Sequence, residues 1–378
     1  MAALFPDEYF HIGGDEVKAT QWNASEAITD FKTRNNLADN RALQSYFNRR
    51  LLEILTKHGK KMIGWDEIFH PELPDNIVIQ SWRGQASLAE GSRRGYSGIL
   101  SYGYYLDHMR PASFHYEMDP RGHEAEELSE QEKSRILGGE ACMWAEFVNS
   151  ENIESRIWPR AAAIAERLWS PAYVNDIADL YRRMEVLDRE LHALGLNYIP
   201  LYKENLQRMA AGIDIQPLIL FADLLKPPSL AVRKKAGTYY SDTPLNRLVD
   251  ILMPESPLQR KFSNQVEDFL DTGNETNEGP VQLRKRLEDW LSNDARLKPI
   301  LEQSFLLKEI LPLAATVAEL CRCGMEALTY LESGRRPPEQ WREKTAALIE
   351  RAAKPQAEIY IAILPPIKKL IEAAVALP

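Results

Sequence analysis

Phe10-His11-Ile12-Gly13-Gly14-Asp15-Glu16 is the stretch on which the reading of this chain turns. The run Tyr9-Phe10-His11-Ile12 reads as a buried strand. Gly13-Gly14 reads as its tight exit, because glycine enters backbone regions closed to other residues. Asp15 and Glu16 then stand at the carboxyl end of a strand, where parallel α/β proteins bind their ligands. A strand that carries such a site needs neighbours on both sides, yet this one begins at Tyr9. Either all its neighbours come from downstream, or further strands are absent from this chain.

Downstream, residues 20–36 read as a helical excursion. Residues 41–58 read as an amphipathic helix through Leu43, Tyr46, Phe47, Leu51, Ile54 and Leu55, stopped at Gly59. Strands are expected at 61–65, 77–82, 97–101 and 135–141, with helical stretches at 87–94, 129–134 and 157–168. Each strand ends in polar or aromatic residues: Asp15/Glu16, Trp65/Asp66, Trp82, Tyr102 to Asp107, and Trp144/Glu146. Alternating strands and helices with chemistry at every carboxyl end are the pattern of a (β/α)8 TIM barrel. A complete barrel takes about 250 residues, and the alternation here stops near Pro171. The expected fold is therefore α/β, a TIM barrel truncated at its amino end to about strands 4–8, followed by an α-helical domain. A barrel cut in that way would expose strand edges that invite aggregation or a second chain.

Beyond Tyr173 the strand pattern disappears. Helices are expected at 176–194, 201–211, 245–252, 281–291, 303–331, 338–353 and 356–376, with a polar turn at 272–279. The stripe Leu306, Ile310, Leu313, Val317 and Leu320 reads as bundle core. The expected organisation is a barrel portion over 1–200 and a helical accessory domain over 201–378. The second carries no chemical motif.

Composition narrows the class. The chain has 378 residues, 44% hydrophobic and 27% charged, the range of ordinary soluble domains. A formal net charge of −9 argues against nucleic acid as a partner. No apolar run reaches the roughly 18 residues of a membrane span, and no signal peptide is visible, so the compartment is left open. Of eight tryptophans, Trp22, Trp65, Trp82, Trp144, Trp158 and Trp169 lie in the first half. Indoles need a partner for their N–H and offer flat faces to sugars. Cys142, Cys321 and Cys323 suit neither a disulfide framework nor a zinc site and read as buried thiols.

The stretch His11-Ile-Gly-Gly-Asp-Glu16 resembles the catalytic signature of glycoside hydrolase family 20, the β-N-acetylhexosaminidases. Further pieces match in order: Gly64-Trp65-Asp66-Glu67, Gln80-Ser81-Trp82, Tyr105-Leu106-Asp107, Gly138 to Glu146, and Trp158-Pro159-Arg160-Ala161 to Trp169-Ser170-Pro171. The resemblance covers about residues 5–195. It implies a barrel whose fourth strand ends in the Asp-Glu pair. The first three strands, with an arginine that holds sugar hydroxyls, have no counterpart here.

The resemblance also implies roles. Glu16 is the general acid/base, expected in a partly buried position that would help hold its proton. Asp15 orients the substrate's 2-acetamido group, which in this family is itself the nucleophile. Tyr105 donates its hydroxyl to the acetamido oxygen, with Tyr102 and Tyr104 as competitors for that role. Trp65, Trp82 and Trp144 wall the pocket, while Asp107 and Glu146 accept sugar hydroxyls. The implied substrates are terminal β-linked N-acetylglucosaminide or N-acetylgalactosaminide glycans, with no metal and no cofactor. An oligomer partner or a separate amino-terminal half would complete the barrel.

Other readings remain beside this one. An Asp-Glu pair after two glycines can be a solvated turn. Asp66-Glu67 reads as mainly structural, and His11 as structural within its strand. A metal site built on His11, Asp15 and Glu16 lacks a second histidine at ligand spacing. The chain could also be a non-catalytic remnant that binds sugar.

Overall fold

A computed structural model describes every residue except Glu72, 211–213 and 273–277. Most of the expected polar turn at 272–279, and the last residue of the expected 201–211 helix, lie outside the described residues. By its contacts the chain divides into two compact units. The first comprises residues 1–105, 112–142 and 161–181; the second comprises 106–111, 143–160 and 182–378. Three pieces of the 1–200 span, 106–111, 143–160 and 182–200, thus group with the helices that follow.

The first unit is built on five parallel strands: β1 (Tyr9–His11), β2 (Lys61–Trp65), β3 (Val78–Ser81), β4 (Ser97–Leu100) and β5 (Ile136–Gly139). Their spatial order is their sequence order, β1-β2-β3-β4-β5. A doubly wound sheet reverses its order at a switch point, and none occurs here. Register is fixed by Phe10 opposite Met62 and His11 opposite Ile63. Because side chains alternate across a strand, Phe10, Ile12 and Met62 share one face. They pack with Leu52 and Leu55 of the helix Asn40–Lys57 and with Ile68, Ile77 and Ile79. His11, Ile63 and Trp65 take the other face. Among the described residues, β1 and β5 each pair on one side only.

Local chemistry places these elements close to expectation. Asp39 caps the Asn40–Lys57 helix by accepting from the Ala42 N–H at 2.8 Å, and Gly59 follows its end with φ of +68°. Two stretches differ: the expected buried strand at 9–12 leaves Tyr9 and His11 exposed, with Phe10 and Ile12 only partly buried; the other is helical. The expected helix at 157–168 is two, Ile153–Ile157 and Arg160–Trp169, interrupted at the cis Trp158-Pro159 bond. Proline removes an N–H and drives its predecessor out of helical geometry, so the break follows from Pro159.

The second unit is helical. Its main helices are Tyr198–Met209, Pro257–Thr272, Glu278–Gln303, Leu311–Ser333, Glu339–Ala352 and Leu364–Val375. Ile310, Leu313, Val317 and Leu320 are buried in one continuous core, with Leu306 packed against it, as their spacing predicts. The helix Pro257–Thr272 was not foreseen, although Phe262, Val266 and Phe269 stand at helical spacing and are buried. Residues 356–363 are not helical. Ala357 and Glu358 have φ of +48° and +62°, and Gln356 and Ile359 exchange backbone hydrogen bonds. The chain then forms β7 (Tyr360–Ile361), antiparallel to β6 (Leu225–Lys226). The three cysteines are buried and form no disulfide, and burial pushes the Cys321 thiol up to about 12. No described helix is long and apolar enough to cross a membrane.

Candidate active site

In the first unit, the exit of β1 is fixed by backbone bonds before any site chemistry enters. The Ile12 N–H donates to the Ile63 carbonyl at 2.9 Å, and the Trp65 N–H to the Gly13 carbonyl at 3.0 Å. Gln44 donates from Nε2 to the Gly14 carbonyl at 2.8 Å. Gly13 and Gly14 have φ of +74° and +98°. A Cβ on Gly14 would stand 2.4 Å from the buried Ile68 side chain, so the turn needs glycine for space as well as for φ. Asp15 and Glu16 leave this turn into solvent, and Glu16 has φ of +48°. Glu16 is therefore exposed, not partly buried as expected. Among the described residues, the strand it follows, β1, pairs only with β2.

Asp66 and Glu67 turn out to do different work. Asp66 is buried and accepts from the N–H groups of Trp82 and Arg83 at 2.8 and 2.9 Å and from the Ser87 hydroxyl. That is a structural latch. Glu67 joins the candidate pair to an aromatic wall. It accepts from the Glu16 N–H at 3.4 Å, from Trp82 Nε1 at 3.1 Å and from Arg83 Nη2 at 2.7 Å. Glu67 thereby sets the Trp82 indole relative to the β1 exit. Its neighbour Trp65 lies edge-on to His11, with ring centroids 5.0 Å apart.

Side chains reach one another across the face that carries His11. Gln80 on β3 donates from Nε2 to Glu140 Oε1, just past β5, at 3.3 Å. Crowding lowers the His11 pKa, opposed by the Glu140 carboxylate, a hydrogen bond with Gln80 and the Asp15 charge. Side chains from the first, third and fifth strands thus meet over the second and fourth. Barrel interiors are layered in the same way, each layer drawn from alternate strands.

The three tyrosines after β4 separate clearly. Tyr102 is exposed. Tyr104 is fully buried and donates its hydroxyl to the Met118 carbonyl at 2.7 Å, and burial raises its pKa. Tyr105 is buried and extends the sheet by a parallel bridge to Cys142.

The second unit holds Asp107, Trp144 and Glu146. Arg160, fully buried, donates to the carbonyls of Leu106 and Arg110, each at 2.8 Å, and so fixes the backbone on both sides of Asp107. Both carboxyl oxygens of Asp107 are buried without a full hydrogen bond among the described residues. Burial raises the Asp107 pKa, and the Glu146 charge adds to the rise; His108 and the backbone N–H groups of Asp107 and Trp144 oppose it. Trp144 presents an open indole, 44% exposed. Glu146 forms an ion pair with Lys234 at 3.2 Å. Among the described residues, no group of three or more metal-binding side chains is assembled.

Sequence reasoning gave no role to Arg160 and Lys234, and read Glu67 with Asp66 as mainly structural. Arg160 lies inside a matched motif, so its signal was present without a role. Lys234 has no local signal.

Residues 1–172 match the family described as glycosyl hydrolase family 20, catalytic domain. β-Hexosaminidase subunit beta of Mus musculus is 35% identical over 211 residues, 53% of this chain and 39% of the relative. β-Hexosaminidase of Porphyromonas gingivalis is 35% identical over 220 residues, 53% of this chain and 28% of the relative. The chain thus spans well under half the length of these curated relatives. Among solved structures, the chitobiase of Flavobacterium johnsoniae is similar with a TM-score of 0.89 and 34% identity. That likeness covers 98% of this chain and 56% of the chitobiase, so it includes the helical region beyond residue 172.

Proposed function

We propose that this chain, whose residues 1–172 match the glycosyl hydrolase family 20 catalytic domain, removes terminal β-linked N-acetylhexosamine residues from glycans by substrate-assisted, retaining hydrolysis. The observation that carries the reading is the ordered set of strand ends. One parallel sheet in sequential order presents Asp15/Glu16, Trp65, Trp82 and Tyr105 at successive carboxyl ends.

In the proposed reaction, Glu16 donates its proton to the glycosidic oxygen as the bond from that oxygen to the anomeric carbon breaks. The 2-acetamido carbonyl oxygen of the same sugar forms a bond to the anomeric carbon from the opposite face, giving an oxazolinium ion. Asp15 accepts the acetamido N–H and balances the positive charge. Tyr105 donates to the acetamido oxygen and holds it near the anomeric carbon, a proximity effect. Water then attacks the anomeric carbon and yields its proton to Glu16, which restores the acid and the acetamido group with retained configuration. In this proposal Trp65, Trp82 and Trp144 contact the sugar, and Asp107 and Glu146 accept its hydroxyls.

The finer fold reading is that β1 to β5 correspond to strands four to eight of a barrel, with residues 201–378 as a helical accessory domain. The exposure of Glu16, with β1 paired on one side, favours a second reading in which the chain binds sugar without full catalysis. Assay with a chromogenic N-acetylglucosaminide separates the two. Turnover abolished by Glu16→Gln and by Asp15→Asn supports hydrolysis. No turnover alone, restored by adding a polypeptide that supplies barrel strands one to three, supports the second. Undiminished turnover by Glu16→Gln of a glycoside with a poor leaving group, which needs protonation to depart, overturns the acid assignment.

A further inference from the structure

Phe147, next to Glu146, is held by residues from beyond the matched segment. The Arg233 guanidinium lies 4.0 Å from the centre of the Phe147 ring, and Tyr239 meets the same ring edge-on at 4.7 Å. Arg233 is itself buried and anchored, pairing with Asp250 at 2.7 Å and Glu358 at 3.2 Å. Further along the segment, Asn152 Nδ2 donates to the Asp250 carbonyl at 3.1 Å, and Arg156 donates to the carbonyls of Asp250 and Leu252. Lys234 follows Arg233 on the short helix Leu230–Ala236 and reaches Glu146 Oε1 from Nζ at 3.2 Å. Two successive residues of one helix therefore grip two successive residues of the segment.

We infer that Lys234 is a positioning residue for Glu146 and through it sets the affinity for the terminal sugar residue. The inference rests on the proposed reading of Glu146 as a hydroxyl acceptor. With one carboxylate oxygen held by the ammonium, the other keeps a defined direction. Without Lys234 the flexible glutamate must be ordered at the moment of binding, a loss charged to affinity. The pair is half open to water, with side chains 56% and 41% exposed, so it adds little to folding stability. A binding effect without a stability effect is the signature to seek.

The test uses the full chain, a chromogenic N-acetylglucosaminide, and binding of free N-acetylglucosamine. Lys234→Met raises KM about three- to tenfold, leaves kcat within about twofold, and leaves Tm within about 1 °C. Lys234→Arg returns KM toward that of the parent. In a Glu146→Gln background, Lys234→Met has no further effect. Glu146→Gln with raised KM, but Lys234→Met identical to the parent, overturns the positioning role and leaves the functional reading intact. A fall in kcat that tracks a fall in Tm also overturns it, since that is a folding defect. A parent chain that neither turns over the glycoside nor binds the sugar overturns the functional reading and this inference together.

Discussion

Gln80 on β3 hands an N–H to Glu140 beyond β5, 3.3 Å away, with β4 between the two strands. Side chains on a flat sheet two strands apart stand nearly 10 Å from one another, about twice the interstrand spacing. Two long side chains leaning toward one another over β4 close that distance. Gln80 is 1% exposed, so its amide has little recourse to water. Gln80→Ala is expected to lower unfolding free energy by about 1–3 kcal/mol, read from urea denaturation monitored by tryptophan fluorescence.

The candidate acid and the candidate orienting residue should fail differently. Glu16→Gln removes proton donation and is expected to lower kcat on a poor leaving group by about 10²–10⁴-fold. On an aryl glycoside whose leaving group needs little protonation, the loss is smaller. Asp15→Asn lowers kcat on both substrates, because it disturbs the acetamido nucleophile itself. Steady-state kinetics on the two substrates check the difference.

Tyr104 and Tyr105 are adjacent, yet their hydroxyls should matter for different quantities. Tyr104→Phe removes the bond to the Met118 carbonyl and is expected to cost about 1–2 kcal/mol of stability with kcat little changed. Tyr105→Phe is expected to lower kcat more than it lowers Tm. Paired thermal melts and kinetics distinguish them.

Asp107 gives a pH test with a definite sign. Its folded-state pKa is raised, chiefly by burial, so the folded chain holds this proton more tightly than the unfolded chain. Stability from this group is present below the unfolded value near 3.9 and is lost as pH rises through the higher folded value. Asp107→Asn removes that loss. The Tm difference, variant minus parent, should become more positive as pH increases from about 4 toward neutrality. Melting curves over that range check it; a difference that does not change with pH contradicts the assignment.

Arg160 should be intolerant of change. Burial lowers its pKa to about 10, within a range that leaves it charged at neutral pH. Arg160→Leu strands the carbonyls of Leu106 and Arg110 and is expected to cost about 2–5 kcal/mol, by urea denaturation.

The strand ends were legible because their signals are local. A short apolar run, a glycine pair and a polar tip lie within seven residues at Phe10 to Glu16, and Gly59 marks a helix end by itself. The break at Pro159 was equally local and could have been read from the proline. Residues 356–363 could not, because Ala357 and Glu358 adopt positive φ without the glycine that would announce it. The roles of Glu67 and Lys234 were hidden for another reason. Glu67 looks like Asp66 in sequence, and only the fold shows that one caps a loop while the other spans β1 and β3. Lys234 lies 88 residues from its partner, and no periodicity records that meeting.

The grouping of residues 143–160 with residues 182–378 bears on how the chain may be cut. A fragment ending near residue 200 would retain every recognisable motif, from His11 to Pro171. It would lack Arg233, Lys234, Tyr239 and the Asp250 and Leu252 carbonyls that hold Phe147, Glu146 and Arg156. Such a fragment would look complete in an alignment and still present Trp144 and Glu146 on an unsupported segment. For this chain, the smallest piece that carries the motifs is shorter than the smallest piece that can shape them.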